Sequence, residues 1–200
     1  MIDRRRVSEA AIRNREPILQ VLQRHVAAGD HVLELAAGSG QHAVFLAPRL
    51  PVAAWQPTDP DAEARASIDA WRAAEPCPVI QPALALDVEA PEWPVARADV
   101  LLAINLVHIS PWSTTVALFD GAARLGPRIV YLYGPYRRGG EHTAPSNVAF
   151  DAWLHARDPA YGVRDLEAVL AVAEARGYAP VSIPEMPANN LSVVLARGDV

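Results

Sequence analysis

With a single cysteine, Cys77, in 200 residues, the chain cannot build a disulfide framework. It has no apolar run long enough to cross a bilayer. Its opening residues, Met1-Ile2-Asp3-Arg4-Arg5-Arg6, lead into no apolar core of the kind a secretory signal needs. Together these absences point to a cytoplasmic protein. Positive charge is also in short supply. Eighteen basic residues against 23 acidic ones leave a net charge of -5, which argues against broad nucleic-acid binding. The basic clusters at residues 4–6 and 137–138 are short and read as solvated faces. The sequence shows no internal repeat or low-complexity linker, and no metal-ligating set is expected.

What is present is a chain that is 51% hydrophobic, enough to bury the core of one domain over residues 1–200. Its 18 prolines fall mostly between elements, where they stop helices and stiffen loops. Apolar runs alternate with helical segments, the pattern of a parallel sheet with crossover helices. Strands are expected at residues 32–36, 52–56, 84–86, 98–105, 128–133, 179–183 and 191–196. The last two are close enough for an antiparallel hairpin at the sheet edge. Helices are expected at 17–28, with Pro17 at the first helical position, and at 61–74, 111–124 and 163–176. Residues 134–161 are expected to form a long loop, and loops of that length are usually functional or disordered. Tyr136, Phe150, Trp153 and Tyr161 argue against disorder.

The most informative stretch is Val32-Leu33-Glu34-Leu35-Ala36-Ala37-Gly38-Ser39-Gly40-Gln41-His42. An apolar strand carries an acid, breaks into small residues, and leads into a helix. At Gly38 and Gly40 the chain can turn sharply and a ligand can touch the backbone. A strand, a small-residue loop and a helix N-terminus make a nucleotide-cofactor site. Dinucleotide folds carry no acid at the position of Glu34. Asp59 lies 21 residues after Gly38, near the spacing at which an acid meets a ribose diol. Asp61 suits entry to the following helix. Asp87-Val88 follows the third expected strand, where an acid can accept from an adenine amino group. Asn105 to Trp112 follows the fourth strand, where an acceptor should lie. Asn105 offers an amide. His108 has the reference pKa of a neutral-pH base, about 6.5, although a lone histidine is more often structural. Tyr133-Gly134-Pro135-Tyr136, His142, Ser146 and Asn147 would roof that pocket.

These segments resemble an uncharacterised family of class I S-adenosylmethionine-dependent methyltransferase-like proteins found in bacteria and animals. The likeness is carried by residues 13–19, 34–42, 55–59, 105–112, 133–136, 142–147, 157–158, 162–167 and 186–191, nearly the whole chain. Most class I members have glycine where this chain has Ala36. An alanine fits there only if the backbone torsion does not require glycine.

The resemblance implies an α/β, Rossmann-like fold. Its seven-stranded sheet should be mostly parallel, with helices on both faces and an antiparallel last strand. It implies S-adenosylmethionine as cofactor. The expected cofactor set is Asn14, Glu34, Ala36, Gly38, Gly40, His42, Asp59, Asp87, Val88 and Asn105. Glu34 would organise the loop, Asp59 hold the ribose and Asp87 the adenine. The sulfonium could rest near Tyr133 or Trp112, since aromatic faces attract cations. The expected catalytic pair is Asn105, orienting an acceptor, and His108, taking its proton. Trp112, Tyr133, Tyr136, His142 and Asn147 would line the acceptor pocket. Residues 1–16 could act as a lid, with Arg13 and Asn14 reaching inward, and 134–161 as a substrate-pocket insertion.

The acceptor is expected to be an unidentified small molecule. A non-catalytic cofactor-binding interaction module remains an alternative. A nucleic-acid methyltransferase is a weaker one. Amino-methylating enzymes often carry Asn or Asp, then Pro-Pro and an aromatic, whereas Leu106, Val107 and His108 follow Asn105 here.

Overall fold

Ser8, and not Pro17, starts the first helix. Its hydroxyl accepts from the Ala11 N–H, and helix α1 runs Glu9–Leu22 with Pro17 inside it. The helix was expected to begin at Pro17. The capping hydroxyl decides the matter, because it satisfies a donor that helix ends otherwise leave open. Ala11, Asn14, Ile18, Leu19, Val21 and Leu22 form the buried face, while Arg13 is exposed. Arg13 therefore does not reach inward. The computed structural model describes residues 3–198; residues 1 and 2 of the expected lid lie outside them.

The described residues fall into two compact units, 3–87 with 93–102 and 88–92 with 103–198. In the first, strand β1 (His31–Leu35) is buried from Val32 to Leu35 without alternation, as a strand covered on both faces should be. Helix α2 (Gln41–Leu46) follows the small-residue loop. Strand β2 (Ala54–Pro57) pairs parallel to β1, with Val32 opposite Trp55 and Glu34 opposite Pro57. Helix α3 (Ala62–Ala74) is capped by Asp61, whose carboxylate accepts from the Glu63 and Ala64 N–H groups.

The strand expected at 84–86 is only an isolated bridge, Leu84 beside Thr58, with a second at Ile80 beside Trp55. Pro82 between them has no N–H to give a ladder. The Ala83 N–H goes instead to Asp69 Oδ1 at 3.0 Å. Strand β3 (Val100–Ile104) closes this unit and opens the next.

In the second unit come helix α4 (Trp112–Leu125) and strand β4 (Ile129–Gly134), all six of whose residues are buried. The expected loop at 134–161 is largely ordered structure. Strands β5 (Arg137–Arg138) and β6 (Glu141–His142) form a hairpin, and helix α5 spans Pro145–Arg157. Pro145 sits at the start of α5, where a missing N–H costs nothing. Only Asn147 and Leu154 of α5 are buried, so the sequence carries almost no helical apolar period there.

Helix α6 (Leu166–Glu174), capped by Asp165, leads to β7 (Tyr178–Ser182), β8 (Glu185–Met186) and β9 (Asn190–Arg197). The sheet is mostly parallel and seven-stranded, in the order β2-β1-β3-β4-β9-β7, with β8 on β9. Strand β9 runs antiparallel to β4, β7 and β8. This is the expected fold class, although β8 takes the place of the strand expected at 84–86. Fully buried Trp55, Leu33, Leu35 and Ile68 in the first unit, and Tyr131, Tyr178 and Phe119 in the second, supply the cores. Each such side chain contributes about 1.5–3 kcal/mol relative to exposure. Among the described residues no helix is long and apolar enough to cross a membrane.

Candidate functional site

In the first unit the loop after β1 is held by the end of β2. The Ala37 N–H donates to Thr58 O at 2.8 Å, and the Thr58 N–H and hydroxyl both donate to Glu34 O at 2.9 Å. The Asp59 carboxylate is buried. Its Oδ2 accepts from the Gly38 N–H at 3.0 Å and its Oδ1 from the Asp61 N–H at 2.9 Å. Each oxygen has a second lone pair, so the carboxylate can brace the loop and still accept from a diol.

The two glycines of the loop serve different ends. A side chain at Gly38 would meet nothing closer than Ala36 O at 3.9 Å, so that backbone stands in open space. One at Gly40 (φ 87°) would lie 2.7 Å from Ile68 Cα on α3. Gly40 is therefore a packing glycine. Ala36 has φ 50°, on the left-handed side that favours glycine. The torsion is thus not one that alanine holds freely, contrary to the condition set by the sequence, and it costs roughly 1–2 kcal/mol.

Glu34 is buried, and the indole N–H of Trp55 donates to its Oε2 at 2.7 Å. Burial pushes its carboxyl up to about 7, against the stabilising Trp55 bond. His42 is buried as well. Its Nε2 is 2.8 Å from Asn14 Oδ1, which only accepts, so Nε2 carries the proton. Burial, with Arg15 nearby, holds His42 down at about 4. Asn14 and His42 thus meet through α1 and α2, and residues 9–16 are built into α1 as its first turns. Asp87 is exposed.

In the second unit Asn105 ends β3 in a left-handed turn, φ 61°. Its N–H donates to Tyr133 O at 2.7 Å, and its carbonyl accepts from the His108 N–H at 3.1 Å. Asparagine is one of the few residues that tolerate this region.

His108 is fully buried, and its Nδ1 accepts from the Arg164 N–H at 3.2 Å. A neutral ring with Nδ1 accepting carries its proton on Nε2. Burial, with the Arg164 charge added, pulls its pKa down to about 3. The lone pair a base would use is therefore already occupied. In this arrangement His108 holds the 160–164 segment, with its carbonyl accepting from the Gly162 N–H at 2.9 Å. Its ring stands edge-on to Tyr136 at 4.7 Å. His108 Nε2 and the Tyr136 hydroxyl are both buried without a partner among the described residues.

The other expected pocket residues separate. Tyr133 is buried, and Val88 lies in this unit, buried too. Trp112 is half-exposed, and the Arg164 guanidinium sits 5.8 Å from its ring, already supplying a cation there. His142 Nε2 lies 3.2 Å from Asp151 Oδ2 and ties β6 to α5. Asn147 donates to Thr143 Oγ1 and to Asn189 O, both at 3.1 Å.

Sequence reasoning missed three partners. Trp55 binds Glu34, and Asp151 binds His142. Arg164 clamps the turn after β3 through Val107 O at 2.9 Å and Ser110 O at 2.7 Å. The Trp55 and Arg164 bonds span long stretches of chain that only the order of the strands could have signalled, and the Asp151 bond joins β6 to α5, a helix the sequence did not announce.

Similar folds occur among solved methyltransferases. An O-methyltransferase family protein from Burkholderia thailandensis aligns with 96% of this chain and 58% of its own, at 15% identity and TM-score 0.81. The S-adenosylmethionine-dependent methyltransferase SibL, solved in its apo form, aligns with 95% of this chain and 56% of its own, at 17% and 0.77. Magnesium protoporphyrin IX methyltransferase from Synechocystis PCC 6803, solved with bound SAH, aligns with 96% and 89%, at 10% and 0.70. The chain spans just over half the length of the first two. These likenesses establish the fold. Residues 5–197 match the family described as protein of unknown function (DUF938), and the chain belongs to that family.

Proposed function

We propose that the protein is an S-adenosylmethionine-dependent methyltransferase acting on a small molecule. One observation carries the reading. The Asp59 carboxylate at the end of β2 is braced on the Gly38 N–H of the loop after β1, and Gly38 itself faces open space. In an α/β sheet this is where the carboxyl ends of adjacent strands receive a nucleotide. The solved neighbours bear on the reading by fold: one of them is described with SAH bound.

Asp59 would accept from the ribose hydroxyls with its remaining lone pairs. The loop backbone at Gly38 would approach the cofactor closely, and Glu34 would fix the loop from beneath through Trp55. When bound, the cofactor supplies an electrophilic methyl group on a sulfonium. With the His108 lone pair engaged, alignment of the acceptor would supply the rate, a contribution that can reach about 7–11 kcal/mol.

Calorimetry with S-adenosylmethionine, S-adenosylhomocysteine and NAD tests this. The first two should bind and NAD should not; preferential NAD binding overturns the reading. The engaged His108 lone pair favours one other reading, a module that binds the cofactor without catalysis. Incubation of the protein with methyl-labelled cofactor and a metabolite extract separates the two, since only the enzyme transfers label.

A further inference from the structure

A cleft of about 250 Å³ in the second unit is lined by Arg138, Thr143, Glu185, Met186, Asn189, Asn190 and Leu191. It lies at the carboxyl end of β4, because Leu191 pairs with Gly134, the last residue of that strand, and Glu185 pairs with Leu191. That end is where α/β sheets receive ligands. Two segments singled out in the sequence, 142–147 and 186–191, meet here, and neither is used by the cofactor loop.

The charges in the cleft are not spent on each other. Neither the Arg138 guanidinium nor the Glu185 carboxylate has a hydrogen bond or ion pair among the described residues. Asn189 and Asn190 are held by their amide nitrogens. Asn189 Nδ2 donates to Ser146 Oγ at 3.0 Å, and Asn190 Nδ2 donates to Pro187 O at 2.9 Å and Ala188 O at 3.2 Å. Their Oδ1 atoms have no partner among the described residues. The turn that presents them is strained at Ala188, which has a left-handed torsion, φ 59°; Asn189, at 58°, is a residue that tolerates it. Buried Asn147 holds that turn by donating to Asn189 O. Strain of this kind persists only where the surroundings over-determine it, and it gathers at ligand sites.

We propose that this cleft binds a small zwitterion with the charge pattern of a free α-amino acid. Arg138 receives the carboxylate, for which its planar fork is matched. The Glu185 carboxylate with Asn189 Oδ1 and Asn190 Oδ1 offers three acceptors, the number of donors an ammonium carries. The cleft, about 250 Å³, is of a size for a small ligand. Met186 and Leu191 give the α-substituent an apolar floor. The proposal stands apart from the cofactor loop and does not require methyl transfer.

The test is direct binding to the full chain without cofactor, followed by calorimetry or NMR titration. The probes are glycine, L-alanine, L-serine, L-valine and L-glutamate, each up to about 10 mM, with acetate and methylamine as single-charge controls. At least one amino acid should saturate and exceed both controls by tenfold or more. Arg138→Met and Glu185→Gln, both at exposed positions, should each weaken it tenfold or more at an unchanged melting temperature. Absence of binding by every amino acid overturns the proposal. So does binding that survives both substitutions, or acetate binding as tightly as the amino acids. Cofactor binding is read in its own titration, so failure there leaves this result intact.

Discussion

The ring of His108 occupies the space that a side chain at Gly134 would need. A Cβ built on Gly134 falls 2.5 Å from His108 Cδ2 and clashes with Nε2 as well. The end of β4 and the turn after β3 are therefore fitted to each other at one residue pair. Gly134→Ala should cost about 1–3 kcal/mol by overpacking. His108→Ala should also cost stability, since it opens a cavity and leaves the Arg164 N–H without its acceptor. The double variant should lose less than the two single losses added together, because the alanine methyl enters the vacated space. Urea titration of the four proteins reads this coupling, and strict additivity would show that the ring and the glycine are independent.

Ala36 offers a gain. Its φ of 50° costs roughly 1–2 kcal/mol for a residue with a Cβ. Ala36→Gly removes that cost but adds about 0.4–1 kcal/mol of chain entropy to the unfolded state. Thermal unfolding should therefore show Ala36→Gly equal to or more stable than the parent by up to about 1.6 kcal/mol. Ala36→Val, β-branched in the same torsion, should be clearly less stable. A loss in the glycine variant would mean that the torsion is not strained.

Two buried groups in the first unit give opposite pH dependences. Glu34 has a folded pKa of about 7, above the ordinary 4.5, so the folded state holds the extra proton between those values. Its contribution falls as pH rises from about 4.5 to 7, by about 3 kcal/mol in all. His42, lowered to about 4 from 6.5, excludes a proton that the unfolded chain accepts. Its contribution is complete above about 6.5 and is lost as pH falls toward 4. Glu34→Gln keeps an acceptor for the Trp55 indole and removes the first dependence. The variant should gain stability relative to the parent at pH 8 and lose it more steeply on acidification. Parallel stability profiles for the two proteins would contradict the Glu34 shift.

The legible part of the fold was the part buried on both faces. Strands β3 and β4 are continuous apolar runs and β1 is one broken only by Glu34, and such runs read directly. Helix α3 carried its own start signal in Asp61. The start of α1 was misread because Pro17 and Ser8 are both good entry residues, and only the Ala11 N–H decides between them. Helix α5 was invisible because it buries just two side chains. The spacing of Glu34 and Asp59 around the glycine loop was legible, and both acids do end up beside that loop. Their partners were not, since the Trp55–Glu34 bond exists only through the register that sets Val32 beside Trp55. The engagement of the His108 ring was illegible for a related reason: position after a strand says where a ring is, and nothing about which of its nitrogens is engaged.

Asp59 braces the loop, and the proposed function gives it a second load; one substitution strikes both, and two readouts tell them apart. Both oxygens accept backbone N–H groups, from Gly38 and from Asp61. Asp59→Asn replaces one acceptor with an amide nitrogen, which faces a donor N–H across about 3 Å. That unpaired contact should cost about 1–3 kcal/mol of stability, seen as a lower melting temperature. The same change removes the charge that the proposed ribose contact needs, so S-adenosylmethionine should bind tenfold or more weakly in a calorimetric titration run well below the melting temperature. Asp61→Asn is the control: it too loses one of two accepting oxygens, but at an exposed position where water replaces the acceptor and the remaining oxygen still caps α3. It should leave both quantities almost unchanged. A folded Asp59→Asn protein with parental affinity would confine Asp59 to bracing the loop, and the ribose would then have to be held by another group in the first unit.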